Sequence, residues 1–283
     1  MRGAFEKTRN WAIGAAACAS VLALPAAAGA VTVTYTNSQS VNIPNNTGTA
    51  GVVTSVNVPA GRPPIQSLEI PGVRLAYTGG GALDMTMALR DPTGVEFGLI
   101  TTNPSCPTFP EGSNIAFSDT ATTFFGTPAG CPATGGTVTV KPNDPRTLSF
   151  YNGKASAGNW DLIVRDVSGV VLPEGHLSGW DLKINHAALA AKASGKKQKL
   201  RNRLTLNVSV NGNCTVTSGA NARTATTPLT GGDIPTKLKV TLKKKARKRL
   251  SEGGSNAHIM LRFANDLNEI VETRFKVRIT QPN

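Results

Sequence analysis

The chain has 283 residues, 40% of them hydrophobic, 5% aromatic and 17% charged, with a net charge of +13 at pH 7. Beyond its first thirty positions no segment approaches ~20 apolar residues, which excludes a membrane-spanning helix there. H-E-x-x-H and C-x-x-C patterns are absent, and Gly195 and Lys196 lack both the upstream glycine and the following Ser or Thr of a phosphate loop, so metal and phosphate chemistry find no motif support.

Residues 1–30 read as a secretory signal. Arg2, Lys7 and Arg9 form a basic start, Trp11 to Leu24 an apolar run too short for a comfortable span, and Ala28, Gly29 and Ala30 an A-x-A cleavage site before Val31. Cys18 is then a cysteine of that apolar run, and the mature protein is expected to be exported, with no transmembrane span. Strands are expected near 51–58, 65–76, 83–90, 95–101, 137–141, 147–151, 159–166 and 177–185, joined by Gly/Pro turns. In Gly158–Asp166, Trp160, Leu162 and Val164 alternate with polar residues and share one face. In the partner segment from His176, Leu177 falls out of step with Trp180, Leu182 and Ile184.

Three cysteines follow the signal. Cys106 and Cys131 flank one Pro/Gly/Ser/Thr-rich loop and are the expected disulfide. Closing a loop of about 25 residues gains roughly 3 kcal/mol by the chain-entropy argument. Cys214 is the spare thiol, either buried as a small hydrophobe or available for an intermolecular bond.

Charge divides the remainder. Residues 31–191 hold eight Lys/Arg and eleven Asp/Glu, whereas residues 192–283 hold nineteen and five. A contrast of −3 against +14 points to two domains, 31–187 and 201–283, with a small-residue, basic linker over 188–200. In the second, Leu204 to Val210, Leu238 to Leu242, Ile259 to Phe263 and Phe275 to Ile279 alternate as strands of a small antiparallel sandwich, and Lys243 to Leu250 reads as a short helix stopped by glycine.

The paired segments Gly158–Asp166 and His176–Ile184 resemble the closing hairpin of the P/Homo B domain that follows the catalytic domain in subtilisin-like proprotein convertases. Leu148, Ser149, Phe150 and Gly153 are similar to that family's apolar-Ser-Phe-x-Gly lead-in, and Gly81–Gly94 to its Leu-x-Ser-Pro-x-Gly hairpin. The resemblance implies an all-β, jelly-roll sandwich, followed here by a small Ig-like β-sandwich, since Leu238–Ile279 resembles Ig-like modules of secreted bacterial proteins. Bacterial relatives of the P domain bind calcium, which makes the loop carboxylates Asp84, Asp119 and Asp166 candidate ligands; no contiguous calcium loop is present. The family's catalytic half is missing. None of His176, His186 and His258 stands in a His-Gly-Thr motif, and no Asp-Ser/Thr-Gly or Gly-Thr-Ser motif accompanies them.

Two groups invite a functional reading. Trp160 and Trp180 could stack on a ligand, but in this pattern they read, with Leu162, Val164 and Leu182, as core. Lys243, Lys244, Lys245, Arg247, Lys248 and Arg249 would attract any polyanion. The lack of nearby aromatic residues argues against nucleic acid and leaves anionic lipid or cell-wall polymer, with a merely solvated turn as the plain alternative. The sequence therefore points to a secreted, non-catalytic adhesion, scaffolding or binding protein. Its rival is an accessory domain for a separately encoded subtilisin-like serine endopeptidase.

Overall fold

A computed structural model of the chain describes residues 29–44, 47–77, 85–101, 106, 109–132, 135–167, 175–195 and 197–280. Residues 1–28 of the expected signal segment therefore lie outside the described residues. The fold is all-β, with one short α-helix among the described residues, and buries two separate hydrophobic cores.

The first core lies between two sheets. One contains β1 (Val31–Asn37), β2 (Val41–Ile43), β4 (Ile65–Tyr77), β7 (Asn114–Phe117), β8 (Thr137–Val140) and β10 (Gly175–His186), in the order β1-β10-β4-β7-β8, with β2 also pairing β10. The other has the order β3-β9-β5-β6, from β3 (Val52–Val58), β9 (Gly158–Asp166), β5 (Met85–Arg90) and β6 (Glu96–Ile100). Trp160 on β9 and Trp180 on β10 reach the same core from opposite sheets, 1% and 0% exposed. Leu162, Val164 and Leu182 are buried beside them. The Trp160 ring stands edge-on to Tyr151 with centroids 5.0 Å apart, and its indole N–H donates to the Ser156 carbonyl at 2.7 Å. Leu177 also enters this core, because the pairing of β10 with β4 shifts register between Leu177 and Gly179. The extra residue restores Leu177 to the face of Trp180. Gly179 adopts φ +138°, where a Cβ would lie 2.4 Å from the Asn37 carbonyl, so the bulge needs glycine.

The segment expected as a strand over 147–151 is instead a 3-10 turn, Leu148–Tyr151. Asp119 caps it, accepting the Leu148 N–H at 2.7 Å and the Ser149 N–H at 2.9 Å. The buried residues Leu148 and Tyr151 are three apart, the spacing of a 3-10 turn and not of a strand.

The second core lies between a three-stranded sheet, β11 (Ala191–Ser194), β13 (Arg203–Val210) and β16 (Gly232–Thr241), and a five-stranded one, in the order β12-β18-β17-β14-β15. Those five are β12 (Gln198–Lys199), β14 (Cys214–Ala220), β15 (Ala225–Leu229), β17 (Asn256–Ala264) and β18 (Ile270–Thr280). The expected linker over 188–200 is thus part of this sandwich: β11 pairs β13 and β12 runs parallel to β18. Leu189 is buried in the second core and Ala191 and Ala193 pack against it, an alternation hidden by their small size. Helix α1 (Lys244–Ser251) buries Ala246 and Leu250, one turn apart on a single stripe, and is followed by Gly253 at φ +108°.

The two sandwiches meet along residues 60–64. The Gly61 carbonyl accepts the Asn213 N–H at 2.6 Å and Arg62 pairs with Asp266; within the second sandwich, buried Glu269 accepts the Leu189 N–H at 2.8 Å.

Candidate basic binding face

Helix α1 follows β16 directly, and its burial of Ala246 and Leu250 fixes which way its cations point. Lys243, Lys244, Lys245, Arg247, Lys248 and Arg249 are all exposed. They are not alone. Lys199, Arg201 and Arg203, every second residue leading into β13, are exposed as well. Pairing of β13 with β16 sets Lys239 opposite Thr205 on the same outer face. Two depressions result. The larger, about 970 Å³, lies between α1 and residues 200–202 and is lined by Arg201, Lys244, Lys245, Arg247 and Lys248. The smaller, about 500 Å³, is lined by Lys199, Arg201, Arg203 and Lys239. Neither has an Asp or Glu in its lining. Among the described residues the single ion pair to any of these cations is Lys248 to Glu252, at 3.8 Å within the helix. Lys199, Arg201, Arg203 and Lys239 were missed by sequence reasoning, although the two-residue spacing of the first three is that of a strand with a cationic face.

The electrostatics at the start of α1 oppose its stability, whereas Lys248 and Arg249 in its last turn complement the dipole. Lys243 occupies the N-cap position without a side-chain cap, no acidic residue stands in the first turn, and Lys244 and Lys245 lie there. Positive charge at the positive end of a helix dipole costs typically 0.3–1 kcal/mol per group. Arg249 is tied down, donating to the Asn221 side chain and the Asn256 carbonyl at 3.2 and 3.3 Å.

Of the candidate calcium ligands, Asp119 and Asp166 are each engaged by protein donors. Both Asp119 oxygens accept the backbone N–H groups of the 3-10 turn, and Asp166 is 0% exposed and accepts the Tyr77 hydroxyl. Asp84 lies outside the described residues. Among the described residues no group of three or more His, Cys, Asp or Glu side chains is placed to hold a metal ion. Donors already spent on protein N–H and O–H groups do not fit a cation that wants six or more oxygens. Cys106 and Cys131 are joined in a disulfide; Cys214 is buried, and desolvation pushes its thiol up to about 11.

The histidines are less isolated than their sequence contexts imply. His176, cross-strand from Asn42, has Nε2 3.0 Å from Ser40 Oγ and Nδ1 3.3 Å from Asn42 Oδ1. That order of groups is the one a base-activated hydroxyl uses. Ser40 and Asn42 are exposed and His176 is half-buried, and none of the three lines the depressions around α1 and β13. His186 is buried between Tyr35 and the Pro63 carbonyl, and His258 is exposed on β17 opposite Lys276.

No family model matches the chain, and no curated protein matches it. Among solved structures, the serine protease of Aeromonas sobria is similar at 16% identity over 56% of this chain and 27% of that one, with a TM-score of 0.34. Its complex with a chaperone gives 0.35 at the same identity and coverage. The adhesin domain of Epf from Streptococcus pyogenes is similar at 9% identity over 89% of this chain and 78% of that one, with a TM-score of 0.29. The chain thus spans about a quarter of the protease, and likenesses this distant leave the family open. Among the described residues no helix is long and apolar enough to cross a membrane.

Proposed function

We propose that the chain is an extracellular, non-catalytic binding protein. Its first sandwich, of the P/Homo B kind, docks a partner protein, and its basic second sandwich, of the Ig-like kind, holds the assembly at an anionic surface or cell-wall polymer. The observation that carries this is the face around α1 and β13, where exposed cations line two depressions without acidic neighbours. Solvated surfaces normally intersperse both signs. The test is co-sedimentation of the full chain with anionic cell-wall polymer and with anionic vesicles. Binding is expected at low salt, falling steeply toward physiological salt. A variant neutralised at Lys243, Lys244, Lys245, Arg247, Lys248 and Arg249 should lose most of it and still unfold in one cooperative thermal transition. Binding that survives high salt, or the neutralised variant, overturns the proposal.

A second reading draws on the hairpin of β9 and β10 and its resemblance to the convertase P domain: the first sandwich stabilises or regulates a separately encoded subtilisin-like protease. A subtilisin gene lacking its own P domain beside this gene, and a raised half-life of that protease when mixed with this chain, would favour it. In either case the purified chain is expected to turn over neither casein nor dibasic peptides; turnover abolished by a serine-directed inhibitor would make the Ser40, His176 and Asn42 cluster an active site.

A further inference from the structure

We infer that the second sandwich binds a linear polymer carrying a phosphate in each repeat, laid along one track that crosses Arg201 from the larger depression into the smaller. This rests on the proposed anionic-surface role and assigns the chemistry of its partner.

Three observations carry it. First, Arg201 and Asn202 line both depressions, so the two are neighbours sharing one ridge. Eight cations line this path: Lys199, Arg201, Arg203 and Lys239, and on α1 Lys244, Lys245, Arg247 and Lys248. A single small anion could answer few of them. A chain with regularly spaced charges answers them in series, and each contact after the first is intramolecular. Second, the first turn of α1 has no acidic residue and no side-chain cap, and its Lys244 and Lys245 face the larger depression. A helix N-terminus with two lysines added is matched to a phosphate. Third, neither depression has an aromatic residue in its lining, so the track offers charge without stacking platforms and reads a backbone and not bases.

The experiment titrates the full chain with linear polyphosphate of roughly forty phosphates and, separately, with tripolyphosphate, at physiological salt and equal phosphate concentration. The long chain is expected to bind at least about tenfold more tightly, because only it spans both depressions. Arg201→Ser, at an exposed position, should keep the wild-type thermal midpoint, weaken the long chain by roughly fivefold to tenfold, lower its salt slope by about one and weaken tripolyphosphate, which reaches Arg201 from one depression at a time, by a smaller factor. Equal affinity for long and short chains, or an Arg201→Ser variant that binds the long chain as wild type does, overturns the track. A parallel titration uses phosphatidylcholine vesicles with about a third phosphatidylglycerol. Binding to vesicles without a chain-length effect refutes the track and leaves the surface role standing, whereas binding to neither probe at low salt refutes both.

Discussion

Arg62 of the first sandwich and Asp266 of the second are joined by an ion pair, Nη1 to Oδ1 at 2.7 Å, with the Arg62 side chain 12% and the Asp266 side chain 70% exposed. The guanidinium is held against Tyr35 and His186 while its partner stays largely in water. The pair therefore acts as a latch on a junction that also carries the backbone bond from Asn213 N–H to the Gly61 carbonyl. Asp266→Ala should lower stability by about 0.5–1 kcal/mol, as expected for a pair with one solvated partner. A double-mutant cycle with Arg62→Ala, followed by chemical denaturation, measures the coupling. A coupling energy near zero would show that the latch does not hold the sandwiches together.

Trp160→Ala should cost of the order of 3–5 kcal/mol, because it removes a fully buried ring, leaves a cavity against Tyr151 and frees the Ser156 carbonyl of its indole donor. Guanidinium unfolding followed by far-ultraviolet circular dichroism checks this. An unchanged midpoint would put Trp160 on the surface and reopen a stacking role for it.

What could be read from the sequence was what period two encodes. Trp160, Leu162 and Val164 marked β9, and the alternating Leu, Val, Ile and Phe residues of β13, β16, β17 and β18 marked the second sandwich. The 3-10 turn was hidden because its cap, Asp119, lies 29 residues upstream of Leu148. The stretch over 188–200 looked like a linker because alanine at alternate positions of β11 mimics a composition that elsewhere means flexibility. In the basic face, the contiguous run on α1 was visible, but Lys239 joins Arg201 and Arg203 only through the pairing of β13 with β16, which no local pattern announces.

His186 gives the junction a pH dependence with a definite sign. Its ring is buried, with Nδ1 3.0 Å from the Pro63 carbonyl and Nε2 3.3 Å from the Tyr35 hydroxyl. Desolvation lowers its pKa below the ordinary 6.5, outweighing the Pro63 hydrogen bond that raises it. The unfolded chain then binds the proton more readily than the folded one. This contribution to stability is complete above pH 6.5 and falls as the pH drops from there toward the folded value. Thermal midpoints measured from pH 7.5 to 5 should decline through this window, and the decline should be shallower in His186→Gln. Identical slopes in the two proteins would remove His186 as the cause.

The lysines at the start of α1 set stability against binding. Lys244 and Lys245 stand at the positive end of the helix dipole with no acidic neighbour in that turn. Replacing both by glutamate reverses an unfavourable interaction and should stabilise the protein by about 0.3–1 kcal/mol per site at low ionic strength, less as salt screens it. The same change takes two cations from the larger depression and sets two carboxylates in it. Affinity for polyanions should therefore drop as the thermal midpoint rises. A purely solvated helix gains the stability and loses nothing, because no ligand depends on those charges. Measuring both quantities on the one variant, Lys244→Glu with Lys245→Glu, separates the cases: a raised midpoint with unchanged polyanion affinity would mean that the basic run serves solubility alone, whereas opposite movement of the two marks the first turn of α1 as part of a binding site kept at the expense of helix stability.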